Sequence, residues 1–384
     1  MNSLHTLTSA AGTGRSASRA TTGQARGGVR YRRLWLAGGG LGLVLGTYTG
    51  LARGGVGHGL VAADIHGVVM VLGFLGTLIA LERAVALGRW WGYLGPALGT
   101  AAVVLLPFQR GLAGGLLVLA GAVVTTTGLV LIRTGGAHAH MVLMVGGAVA
   151  WFAAAAWWLA GAGPVRITPL LAAFLVLTII AERLELSRLT LPVAASRRRF
   201  LAMVVLFGLG VAVTPFERGT GLVLGGVGML GQVGWLLRHD LARHTIRKPG
   251  KPRFSAVCML AGYGWMGVSG ALWIGTGVGV TAPLLHDALV HSLFLGFVLS
   301  MVIGHAPIIV PAVLRRPLQF RRMAYVPLVL LHASVAVRIG ADLVASYPVR
   351  GIALHGNVAA LAVFVATTIW TATRRPASIL GGTR

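Results

Sequence analysis

Twelve apolar windows of roughly 17–25 residues each divide almost the whole chain. They fall near 34–51, 60–81, 90–107, 112–132, 138–160, 164–186, 199–215, 219–237, 255–276, 284–313, 324–346 and 351–373. A window of that length crosses a hydrocarbon core as an α-helix, and in hydrocarbon each backbone N–H and C=O must be satisfied within the segment. The expected fold is therefore all-α: a polytopic membrane protein with twelve transmembrane helices, short connections and antiparallel neighbours. With 56% hydrophobic residues, 11% charged and a mean hydropathy of +0.81, the chain holds more apolar side chain than a soluble domain of 384 residues can hide. Residues 1–33 read as a disordered basic cytoplasmic tail, 34–373 as one transmembrane domain and 374–384 as a second cytoplasmic tail. No short apolar run with a cleavage site precedes the first window, so no removable signal peptide is expected.

The net charge of +25 first suggests a nucleic-acid partner. The positions of the basic residues point to the lipid bilayer instead. If the N-terminus is cytoplasmic, 27 of the 33 Lys and Arg residues fall on the cytoplasmic side, five (Arg53, Arg110, Arg166, Arg218 and Arg350) fall outside, and Arg338 lies within span eleven. That split obeys the positive-inside rule. It implies an inner (cytoplasmic) membrane protein with both termini cytoplasmic and no nucleic-acid role. A single cysteine, Cys258, excludes an internal disulfide, a cysteine zinc site, a ligated iron–sulfur cluster and a CxxCH haem attachment.

Eight of the twelve histidines lie in or at the mouth of apolar spans. Ionisable groups in hydrocarbon are costly and usually face a functional interior, and imidazole ligates metals and haem iron. Orientation sorts the eight into two layers. His66, His286, His291 and His355 form an outer layer on spans two, ten and twelve. His138, His140, His305 and His332 form an inner one. On an ideal helix, His305 lies about 21 Å deeper than His291 and within about 40° of its face. Asp287, four residues before His291, is placed for its carboxylate to accept the ring's second N–H. His66/Met70, His140/Met144 and Met301/His305 each offer thioether beside imidazole, a pairing that suits copper(I) or haem, although Met also packs anywhere in a bundle. Glu82, Arg83, Glu182 and Arg183 lie at inner helix ends. They fit snorkelling ion pairs as well as a proton-entry or haem-propionate role. Gly226–Gly231 spells G-x-G-x-x-G inside an apolar helix, where glycine serves close helix approach rather than a nucleotide.

Residues 73–83, GFLGTLIALER, align with 173–183, AFLVLTIIAER. Residues 72–82 align with 295–305, LGFVLSMVIGH, which sets Glu82 opposite His305. The three segments lie in spans two, six and ten. This predicts three pseudo-repeated four-helix units, each giving its second helix to the interior.

Twelve helices in three arcs, with histidines on helices two and ten, resemble subunit I of the haem–copper oxidases and nitric oxide reductases. The segments HGVVMVLGF of span two and HSLFLGFVLSMVIGH of span ten look still more like NnrS, a membrane haem and copper family linked to nitric oxide stress and denitrification. The resemblance implies an outer haem b with His66 and one of His291 or His286 as axial ligands, and His355 nearby. His305, His332, His138 and His140 could support an inner copper or a second haem, on positions to which no motif of that family maps. The chemistry the resemblance implies would be that of an oxidoreductase or sensor for a small diatomic ligand such as nitric oxide, with a quinol as electron donor. One departure is clear: spans six and seven contain no histidine, whereas the oxidases carry binuclear-centre ligands there. The rival classes are a twelve-helix secondary transporter, in which His and Glu/Arg pairs carry protons or metal, and an assembly subunit without cofactor.

Overall fold

The computed structural model describes residues 14–56, 63–187, 193–314 and 320–373. Among these the chain is helical throughout, without strands. The helices are α1 (Gly14–Arg53), α2 (Ala63–Leu87), α3 (Leu94–Leu105), α4 (Arg110–Gly135), α5 (Ala139–Leu159) and α6 (Pro164–Leu186). They continue with α7 (Ala194–Val213), α8 (Arg218–His239), α9 (Lys251–Gly277), α10 (Leu285–Pro311), α11 (Tyr325–Leu343) and α12 (Tyr347–Thr373).

Ten of the described helices are long and apolar enough to cross a membrane, which makes this a multi-pass membrane protein. The two remaining apolar windows also hold helices. The first, α3, has 12 residues, and the second, α7, opens on the charged run Arg197–Arg199. Helix α1 begins at Gly14, so the stretch expected as a basic tail is helical from there on. Residues 1–13 and the expected tail at 374–384 lie outside the described residues, as do His5 and His58.

Local chemistry sets the helix ends. Gly88 (φ 69°) follows α2 and Gly136 (φ 93°) follows α4, both in backbone conformations that side chains with a Cβ rarely adopt. Pro164 opens α6, where its missing N–H costs nothing. Glu217 caps α8 by accepting from the Thr220 N–H at 2.7 Å, and hydrogen bonding from the Thr220 side chain and N–H holds its exposed carboxyl below the usual range.

Contacts at the two ends of the bundle agree with up-and-down packing. Arg53, Asp64, Arg110, Asp287 and Arg350 meet at one end; Arg83, Glu182, Arg183 and His305 meet at the other. These are called outer and inner below, after the expected orientation. Helix α10 is central, packing against α1, α6, α9 and α11. Helix α8 carries the G-x-G-x-x-G run and lies closely against its neighbours. A Cβ at Gly226 would sit 2.5 Å from the Gly270 carbonyl oxygen of α9, and one at Gly228 would sit 2.5 Å from the Phe207 nitrogen of α7. The glycines thus permit backbone-to-backbone approach, as small residues do between membrane helices. Gly228→Ala should lower the unfolding free energy by about 1–3 kcal/mol, measured by denaturant unfolding in micelles. Gly234→Ala, with nothing within 4 Å of the added Cβ, should be neutral or slightly stabilising.

Candidate functional site

A cavity of about 460 Å³ lies at the outer end, walled by α1, α2, α6, α10, α11 and α12. His66 reaches it from the start of α2. Its Nδ1 is 2.8 Å from the Gly46 carbonyl oxygen of α1, and a Cβ at Gly50 would lie 2.8 Å from its Cε1. Two glycines one turn apart on α1 therefore seat the ring, one through its carbonyl and the other through its missing side chain. His291, buried on α10, places its Nδ1 2.8 Å from the Asp287 carbonyl oxygen. In each ring the N–H belongs on Nδ1, donating to that carbonyl, which leaves Nε2 with a lone pair. Neither Nε2 has a partner among the described residues, and both histidines line the cavity.

A π-helical stretch follows each histidine: Val69–Leu75 after His66 and Ser292–Leu299 after His291. Such segments often mark functional sites. The second one also corrects the expected alignment of His291 with His305. The 40° figure assumes an unbroken α-helix, and the wider π turn changes the angle between them. Asp287 differs from expectation too. Its backbone oxygen holds His291, because the carbonyl four residues back lies directly beneath the ring. Its carboxylate is drawn elsewhere.

That carboxylate enters a network of arginines. It contacts Arg53 of α1 (3.5 Å), Arg338 of α11 (3.6 Å) and Arg350 of α12, whose Nη2 donates to Oδ2. Arg350 Nε also donates to Asp342 at 3.0 Å, and Arg338 lies 3.8 Å from the same carboxylate. Three guanidiniums thus face two carboxylates, leaving one positive charge in excess. Asp287, His291 and Asp342 lie close enough to hold a metal ion, but the arginines already neutralise both carboxylates and a cation would have to displace them. Arg338 Nε, Asp342 Oδ2 and Asn357 Oδ1 are buried without a hydrogen-bond partner. Arg338 and Asn357 line the cavity, so its wall has polar capacity to spare. Sequence reasoning missed this cluster. The available signal was Arg338, a basic residue inside an apolar span with Asp342 one turn on.

The other outer histidines are placed differently. His286 is half-buried on the cavity wall. His355 is exposed, bonds its own Gly351 carbonyl and does not line the cavity. It sits on the outward face of α12, so its expected place beside the other outer histidines is not what the structure shows.

The inner histidines do not converge. His305 has both nitrogens occupied, Nδ1 by the Met301 carbonyl oxygen (2.6 Å) and Nε2 by Arg183 Nη2 (3.0 Å). In His332, Nδ1 accepts from Trp265 Nε1 (2.8 Å) and Nε2 lies 3.3 Å from Ser300 Oγ. The exposed His138 stacks on the buried His140, which lies 3.8 Å from Glu185. Met144 does not serve His140; its sulfur faces Arg83 Nη1 at 3.0 Å. Arg83 also donates to Glu182 at 3.3 Å and lies 3.9 Å from Glu82. Arg183 places Nη1 3.0 Å from the Met259 sulfur and is buried, so it does not snorkel.

A helical bundle with one ion-walled, histidine-lined cavity at its outer end defines a multi-pass membrane protein with a buried candidate ligand site. The chain belongs to the family described as Domain of unknown function (DUF8744), whose model matches residues 32–373. No curated protein and no solved structure matches it.

The arginine network sets a stability expectation. Asp287→Ala leaves buried guanidiniums uncompensated and should cost about 3–5 kcal/mol. Arg110→Ala breaks the roughly half-exposed pair with Asp64 and should cost less than about 1 kcal/mol. Chemical unfolding of both variants in the same detergent measures the difference.

Proposed function

We propose that this chain is an integral membrane haem protein holding haem b at its outer end between His66 and His291. One observation carries the reading: two histidines from different helices present unpartnered Nε2 atoms to one cavity, each ring fixed by an Nδ1–H···O=C bond. Such a bond sets the tautomer and orientation of a ligating imidazole. The residues fit the group in two further ways. The excess positive charge of Arg53, Arg338 and Arg350 suits the propionate carboxylates of haem, and the orphaned Nε–H of Arg338 offers them a donor. The single cysteine accords with a non-covalently held haem.

Haem bound there supplies reversible one-electron chemistry. The protein's part is to orient the rings from α2 and α10, screen the carboxylates and line the rest of the cavity with apolar side chains such as Val71, Phe294 and Leu361. If His66 and His291 both held the haem iron, the group would supply electron transfer rather than capture of a diatomic gas. Copper is not part of the proposal, because His305 and His332 have no nitrogen left to give.

The same reading takes the chain as twelve spans in three four-helix units with both termini cytoplasmic. The Lys and Arg asymmetry supports the orientation. Recurring inner contacts support the units: Arg83 of α2 meets Met144 of α5 and Glu182 of α6, and Arg183 of α6 meets Met259 of α9 and His305 of α10.

Purified protein should show a Soret band and a b-type pyridine haemochrome spectrum. His66→Ala/His291→Ala should lose both, and Gly50→Ala, whose methyl displaces the His66 ring, should retain less haem than wild type. Absence of a Soret band after expression with ample haem, or an unchanged band in the double variant, would overturn the outer-haem reading.

A further inference from the structure

The inner contacts form a chain of equivalent positions that does not close. Glu82, Glu182 and His305 occupy matching places in the aligned segments of α2, α6 and α10, and Arg83 and Arg183 match each other. Glu182 accepts a hydrogen bond from Arg83 at 3.3 Å, and His305 is held by Arg183 at 3.0 Å. The third arginine would follow His305, but that position is Ala306. Among the described residues, Glu82 is the member left without its own cation. The Arg83 guanidinium lies 3.9 Å from it, beyond hydrogen-bond range, and is already committed to Glu182 and to the Met144 sulfur. Arg183 is likewise committed, to His305 and the Met259 sulfur.

We propose that Glu82 is a proton-binding site at the inner end of the bundle, left titratable because its place in the Arg83–Glu182 and Arg183–His305 series lacks the arginine that pins its two counterparts. The charged and titratable groups that act on it are Glu182 of α6, Arg83 of its own helix and His305 of α10. Two carboxylates therefore share one near guanidinium. The two carboxylates repel each other across that guanidinium, and taking up a proton at one of them relieves the repulsion. The Glu82 side chain lies near the inner end of α2 and is 40% exposed, against 12% for Arg83. The step is a simple one: the carboxylate takes one proton from inner-side water to become a neutral carboxylic acid, and returns it when the pH rises. Glu182 keeps the hydrogen bond from Arg83. This site lies at the opposite end from the histidine cavity and is independent of what that cavity holds.

The test is infrared difference spectroscopy of the full chain in liposomes, titrated with pH. Wild type should show a carboxylic-acid C=O band that appears on acidification. That band should vanish in Glu82→Gln, a variant isosteric with the protonated acid, and persist in Glu182→Gln. Glu82→Asp should keep the band with a shifted midpoint, which separates loss of the site from loss of the fold. A wild type with no such band, a band that survives Glu82→Gln, or one lost in Glu182→Gln but kept in Glu82→Gln would overturn the proposal. The measurement reads the same with or without haem, so its failure and that of the outer-haem reading are distinguishable.

Discussion

The outer half of this bundle depends on a carboxylate surrounded by guanidiniums. Asp287 of α10 binds arginines from α1, α11 and α12, and two of these also hold Asp342. Burying ions is expensive, and their attraction repays the cost only where several partners meet in good geometry. Here that requirement ties four helices to one point. The carbonyl of the same residue fixes His291, so the ion network and the histidine orientation share a backbone position.

The two ends use the same residue types for different purposes. At the outer end His66 and His291 each spend one nitrogen on a backbone oxygen and keep the other. At the inner end His305 and His332 spend both within the protein, and arginine, methionine and glutamate complete their surroundings. A histidine with both nitrogens engaged holds helices together; one with a free lone pair can hold a ligand. Burial alone does not distinguish the two cases, since buried and half-buried histidines occur at both ends.

Much of the fold was legible because hydrocarbon leaves a chain few options. Apolar runs of sufficient length become helices, and helices occur at all twelve windows, ten of them long and apolar enough to cross a membrane. His66 and His291 could be picked out as deep histidines on helices two and ten, and the cavity contains both. The ER/ER/H correspondence between spans was visible in the letters and reappears as matching contacts. Other features were hidden for identifiable reasons. His355 looked like an outer-layer histidine, but its helical face depends on how α12 packs, and it points outward. The Asp287 carboxylate seemed close to His291 by spacing, yet arginines from distant helices claimed it. The π-helical stretches leave no mark in a hydrophobic pattern.

The sequence by itself determined the class of structure: how many apolar segments there are, which ends carry positive charge, and which residues must be costly to bury. These follow from length, hydropathy and charge, each a property of the chain read along one dimension. Only the tertiary structure decided which of those costly residues meet. Arg53, Asp287, Arg338 and Arg350 are separated by up to hundreds of positions, and their contact depends on helix rotation and tilt set by glycine packing and π turns. Whether a histidine nitrogen is free or engaged is settled by differences of an ångström between helices, a scale on which residue spacing carries no information.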